Sequence, residues 1–398
     1  MLHIWWSVFL LPALMVLAGL LGRFLPRRRG LYPRPLPPER QRFADALLLK
    51  QLLRLGPALA VLAYMIMQSL RLTPEHTQRV IAYIVSFSEV FTLISIINPI
   101  EQALQERFGD APAERIVTET ASAKVNLLLA VSAPRTDGFH ELISVMQTVG
   151  LCDQLALRAT EGGIELTCDR DDLLADDSNL CNKAAVKFFT HTGITGAGVS
   201  IELKKVIPMQ AGLGGGSSDA AAVLRGLRRL YAPDLSDAEL ENMAAELGSD
   251  VPFCVRGGTT LARGRGEVLE TLPALPACWF VIVKPAFACC TAEMYGLIDK
   301  YRCYDDGEAL SAAMIRALEQ GDLPGVCAAL DNTFERTLPQ DNVVYAIRRR
   351  LRELGALGAL LCGSGSAVFG VFDREEEARV AAAALRGTYP ETFCASAE

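Results

Sequence analysis

The pattern of hydrophobic and polar positions changes character near residue 110. Before it stand three long apolar runs. Residues 4–22 carry no charge, residues 55–70 carry none and are flanked by Lys50, Arg54 and Arg71, and residues 80–100 hold a single carboxyl, Glu89. A helix rising about 1.5 Å per residue crosses a hydrocarbon core of about 30 Å with a run of the first length. Trp5 and Trp6 lie at one end of that run and Arg23, Arg27, Arg28 and Arg29 at the other, the reverse of a cleaved signal peptide, whose positive charge comes first. The segment therefore reads as a membrane-associated set of about three helices. Nine Lys and Arg fall between residues 23 and 54, and only Arg71 and Arg79 between the second and third runs. That asymmetry places residues 23–54, and everything after residue 100, in the cytoplasm. Glu89 is either a functional intramembrane carboxyl or a protonated one bonded to Ser86, Ser88 or Gln68. The second and third runs also fit a soluble helical hairpin.

After a polar linker the periods shorten. Residues 118–131 read as a strand pair or one bent strand, 142–155 as a strand, and 177–192 as a helix capped by Asp177 or Ser178. Residues 199–206 read as a strand, and a helix follows from Asp219. Ser236 and Glu239 form a capping box for a helix running to residue 247. Residues 257–266 are glycine-rich, 272–276 look like a joint, and 279–283 begin a second α/β unit that ends in a Gly/Ser loop and a strand at 360–372. The expected organisation is 1–110, 111–275 and 276–398.

The segment P-M-Q-A-G-L-G-G-G-S-S at 208–218 is the strongest chemical signal. It links a strand to a helix, and backbone N–H groups at a helix N-terminus hold phosphate. Glycine lets the backbone approach the oxygens. The loop lacks the G-K-[ST] of a Walker A motif, and its spacing is not the dinucleotide fingerprint. Gly212, Leu213, Gly214, Gly215, Gly216, Ser217 and Ser218 are thus candidate phosphate binders. Formal net charge is −7, which argues against nucleic acid as a partner. Eleven cysteines lie between Cys152 and Cys394 without a C-x-x-C pair, as expected of reduced thiols in the cytosol.

Lys124, alone among small and apolar residues in a strand, is either an outward-facing lysine or a cation for a phosphate. Asp250, at a helix end before Val-Pro-Phe, is either a cap or a catalytic carboxylate. His140 follows an Asp-Gly turn and is either a surface histidine or a contact for a base.

Six segments, in order, resemble the GHMP kinase superfamily: S-A-K-V-N-L from residue 122, R-T-D-G-F-H-E-L at 135–142, the loop at 208–218, L-G-S-D-V-P-F at 247–253, G-G-T-T-L-A-R-G-R-G-E at 257–267 and G-S-G-S at 363–366. The resemblance implies a two-domain α/β fold, with a ribosomal S5 domain 2-like N-terminal lobe and a ferredoxin-like C-terminal lobe, and ATP with Mg²⁺ as cofactors. It implies Asp250 as base, Lys124 beside the transferring phosphoryl group, and the loop on the ATP phosphates, with Ser218 next to the metal. His140 would contact a cytosine and Phe139 would stack beside it, with Asn126, Lys183, Thr291, Gly363 and Gly365 on the substrate side. The D-G-F-H segment points to the branch that phosphorylates the 2-hydroxyl of a cytidine diphosphate-linked methylerythritol in non-mevalonate isoprenoid biosynthesis. Phe139 stands where that branch usually has Tyr, and Ser122 where it has Pro. Two other readings stay open: a kinase for a different small alcohol, and a nucleotide-binding regulatory membrane protein without turnover. The expected location is a membrane tether with the kinase domain in the cytoplasm.

Overall fold

Two long strands carry the first half of the described chain. β1 (Ile116–Pro134) and β2 (His140–Thr160) pair antiparallel from Ile116 opposite Arg158 to Pro134 opposite His140. Register slips near Ser122, Asn126 and Val131 bend β1 without dividing it, as an extra residue on one strand does. β2 outruns its expected end because Asp153 is fully buried. Its carboxylate accepts from the amides of Val206 and Ile207 and does not start a turn. The structure, a computed structural model, describes residues 115–398 except 137, 171, 174 and 175. The three apolar runs and Glu89 lie outside the described residues. Among the described residues no helix is long and apolar enough to cross a membrane.

β3 (Ile164–Cys168), β4 (Gly198–Lys204), β5 (Thr259–Arg263), β6 (Val268–Thr271) and the short β8 (Asp331–Asn332) complete the first sheet, in the order β3-β4-β2-β1-β8 with β5 added to β2 and β6 to β5. Four helices pack on it: α1 (Leu180–Thr192), α2 (Gly215–Tyr231), α3 (Asp237–Ala245) and α4 (Val251–Arg256). Leu155, Leu157, Phe188 and Ile201 meet the alanines and leucines of α2 in one core.

Two helix starts differ from expectation. Asn179, not Asp177 or Ser178, caps α1, its Oδ1 accepting from Cys181 N. Helix α2 begins at Gly215, four residues before Asp219. Glycine pairs read locally as helix breakers, but here Ser218 N bonds Gly214 O and Ser218 Oγ donates to Ser122 O, pinning the first turn to β1. The capping box of Ser236 and Glu239 is present at the start of α3.

The second sheet holds β7 (Trp279–Val283), β9 (Gly358–Leu361), β10 (Val368–Phe372) and β11 (Thr392–Ser396). Its antiparallel order β11-β7-β10-β9 is fourth-first-third-second in chain order, a ferredoxin-like arrangement. Helices α5 (Thr291–Tyr301), α6 (Gly307–Glu319), α7 (Leu323–Ala328), α8 (Val343–Glu353) and α9 (Glu375–Arg386) surround it. Val125, Leu127 and Ile143 of the first sheet share a core with Phe280, Ile282 and Phe369 of the second. Residues 115–398 are therefore one compact unit.

Candidate active site

Two glycine loops meet back to back. Gly214, at φ 70°, caps α2, which has no side-chain cap bond, so no side chain satisfies its first amides. Gly212 has φ +76°, and a Cβ there would lie 1.9 Å from Cys362 O; only glycine fits. Gly365 N bonds Cys362 O, Ala367 N bonds Ala211 O and Lys124 N bonds Leu213 O. Gly363 and Gly365 of the second loop thus sit against Gly212 of the first. Gly216 is exposed at the surface of this turn, Gly215 and Ser217 are half-buried, and Ser218 is buried.

Lys124 is inward-facing, at 5% exposure. A lysine there needs an anionic partner, because burying an unpaired charge is costly. Its Nζ lies 3.2 Å from Asp250 Oδ2 and donates to Asn126 Oδ1 at 2.8 Å. Asn126 Nδ2 donates to Ser144 Oγ at 2.7 Å, and Ser144 Oγ to Leu128 O at 2.6 Å. The ammonium is therefore held by a chain anchored in β1 and β2. Asp250 occupies the cap position of α4 but makes no side-chain cap bond. Its carboxylate is 38% exposed and free to accept a further hydrogen.

A third cluster adjoins this pair. His140 Nε2 lies 2.9 Å from Asp299 Oδ1, its ring stacks on Tyr295 with centroids 5.1 Å apart, and Tyr304 Oη donates to Asp299. Burial pushes the Tyr295 hydroxyl up to about 12, with the charge of Asp250 adding to the effect. Phe139 is 52% exposed, with the Arg265 guanidinium 5.0 Å from its ring centre, within cation–π range. Thr291 Oγ1 lies 2.9 Å from Ser364 Oγ and ties α5 to the second glycine loop. Lys183 stands exposed on α1, where its charge acts on Asp176.

Sequence reasoning missed five residues. Tyr295 and Asp299 follow Thr291 at steps of four, one face of a helix, and that spacing could have found them. Beneath the first turn of α2, Lys205 Nζ pairs with Asp153 and, at 2.7 Å, with Asp219, all three side chains at most 4% exposed. Burial, with Asp153 adding and Lys205 opposing, pushes the Asp219 carboxyl up to about 7.

Comparison with known proteins gives the family. The GHMP kinases N terminal domain family matches residues 179–258 and the GHMP kinases C terminal family residues 314–391. The 4-diphosphocytidyl-2-C-methyl-D-erythritol kinase of Pelotomaculum thermopropionicum is 44% identical over 279 residues, 69% of this chain and 95% of the relative. The chain belongs to the 4-diphosphocytidyl-2-C-methyl-D-erythritol kinase family. The Moorella thermoacetica member is 43% identical over 70% of this chain and 98% of its own. A crystal structure of a 4-(cytidine 5'-diphospho)-2C-methyl-D-erythritol kinase superposes with a TM-score of 0.60 at 35% identity, covering 71% of this chain and 99% of that one. As a member of this kinase family and of the wider GHMP kinases, the chain has the two-domain α/β architecture expected above.

Proposed function

We propose that the chain transfers the γ-phosphoryl group of ATP to the 2-hydroxyl of 4-diphosphocytidyl-2-C-methyl-D-erythritol. The observation that carries this reading is the Lys124–Asp250 pair, 3.2 Å apart, beside a loop whose amides open a helix. Asp250 accepts the hydroxyl proton as the oxygen attacks phosphorus and the bond to ADP breaks. Lys124 faces the charge on the transferring group, and Asn126 holds its ammonium in place. The amides of Gly212, Leu213, Gly214, Gly215, Gly216 and Ser217 hold the phosphates, which a dipole of this orientation favours; the amide of Ser218, expected among them, is spent on Gly214 O. His140 and Phe139 take the cytidine, and Thr291, Gly363 and Gly365 line the acceptor side.

The residues fit a Mg²⁺ held chiefly by the phosphates. Magnesium keeps several waters and takes one or two protein oxygens. Asp250 offers an exposed oxygen, and Ser218 Oγ, although its proton goes to Ser122 O, keeps its lone pairs. Bound there, the cation would neutralise phosphate charge.

A panel of acceptors with labelled ATP tests the substrate; a clear preference for another alcohol refutes it. Asp250→Asn should lower kcat by about 10²–10⁴, the usual worth of a general base, with nucleotide affinity kept within a few-fold. Parent-like turnover refutes the mechanism. The same proposal keeps the kinase at the cytoplasmic face of a membrane, on the strength of the uncharged runs and the excess of Arg at 23–54. The full chain should then sediment with membranes and residues 115–398 should not.

A further inference from the structure

Asp299 belongs to none of the motif segments, yet it grips a residue of the site. Its Oδ1 lies 2.9 Å from His140 Nε2 and accepts from Tyr304 Oη at 3.1 Å. The imidazole is 7% exposed and is flattened on Tyr295 with an interplanar angle of 26°. Its orientation is therefore set from two sides. The charge of Asp250 is felt at Tyr295, so this cluster borders the reacting end of the site.

A carboxylate accepts hydrogen bonds and donates none. Nε2 therefore carries its hydrogen whether the ring is neutral or charged, and in the neutral ring Nδ1 is a bare lone pair. We infer that Asp299 is a positioning residue that locks His140 in the Nε2–H form and thereby determines which base the site accepts. The inference rests on the proposal above that His140 faces the cytidine. Cytosine presents an exocyclic amino group, a donor; uracil presents a carbonyl oxygen at that place, an acceptor. A lone pair at Nδ1 bonds the first and repels the second. A site built on one such hydrogen bond discriminates strongly against the analogue that cannot make it.

The test compares kcat/KM for the cytidine acceptor and its uridine counterpart in the parent and in Asp299→Asn. An amide can donate to Nε2, which releases the ring to carry its hydrogen on Nδ1. The cytidine preference should fall at least about tenfold, with KM for ATP unchanged, a pattern that general loosening of the fold would not give. A preference unchanged within about twofold in the folded variant overturns the inference. Should that variant not fold, nitrogen NMR of the parent at about pH 8 decides, because His140 Nδ1 must then resonate as a bare acceptor. A hydrogen-bearing Nδ1 overturns the inference. A parent that phosphorylates neither compound refutes the proposed substrate instead, and the NMR result still decides the tautomer.

Discussion

Gly214→Ala concentrates the structural argument in one methyl group. Gly214 has φ +70°, and a Cβ there would lie 2.8 Å from Lys124 Cγ and 3.2 Å from its Cε. The left-handed backbone costs an alanine about 1–2 kcal/mol. Ordinary contact begins at 3.4 Å, so Lys124 must retreat by about 0.6 Å, the difference between 3.4 and 2.8 Å. Its far end is fixed by Asp250 and Asn126, and the retreat therefore breaks or lengthens one of those contacts. Misplacing a reacting group by about 1 Å costs about a hundredfold, so kcat at saturating ATP and acceptor should fall about 10- to 100-fold. The thermal midpoint should drop by only a few degrees, as about 1–2 kcal/mol implies for a unit of this size. Gly216→Ala is the control, because its Cβ would meet only Leu180 Cδ1, at 3.6 Å, and it should melt like the parent. Steady-state kinetics and a circular-dichroism melt provide both readouts. If Gly214→Ala kept kcat within about twofold of the parent, the placement of Lys124 would not matter to the reaction and the mechanism would fail.

Other consequences are equally accessible. Asn126→Ala removes one partner of the Lys124 ammonium and the donor to Ser144; hydrogen bonds to charged groups are worth about 1.5–3 kcal/mol, so kcat should drop roughly tenfold or more with KM for ATP unchanged. Asp219 binds its proton more tightly folded than unfolded, since burial lifts its carboxyl to about 7 from 3.8. The stability it contributes is present below the unfolded value and is lost as pH rises through the folded one. Urea unfolding should accordingly show Asp219→Asn more stable than the parent at about pH 8, with the gap closing toward about pH 5; a gap that did not change with pH would contradict this. Cys290 is exposed, whereas Cys278 is buried and its thiol pushed up to about 12. Mass spectrometry after brief iodoacetamide treatment should find Cys290 alkylated and Cys278 intact, because the thiolate is the nucleophile.

The motif segments made the parts of the site legible, but not how they fit together. That Lys124 points inward could not be read from its strand, because the register slips near Ser122 and Asn126 break the two-residue alternation that decides which face a side chain takes. The same alternation hid Lys205. Lys204 and Lys205 look like one basic strand end, yet Lys204 is exposed and the Lys205 side chain is 3% exposed, between two carboxylates. Asp250 resembled a cap by position, and only the missing cap bond releases its carboxylate for other work. The steps of four from Thr291 to Tyr295 and Asp299 mark one helix face, but what Asp299 meets there is His140, 159 residues earlier, which no local pattern shows. The start of α2 was misplaced because local propensity counts its glycines against a helix, while the bond from Ser218 to Ser122 acts across the fold.

The contact between Gly212 and Cys362, with the amide of Ala367 on Ala211, couples two parts of the chain about 150 residues apart. The turn at Gly212 cannot shift without disturbing the loop at 362–367. Displacement of either loop is passed to the other, so whatever seats on one alters the shape of both.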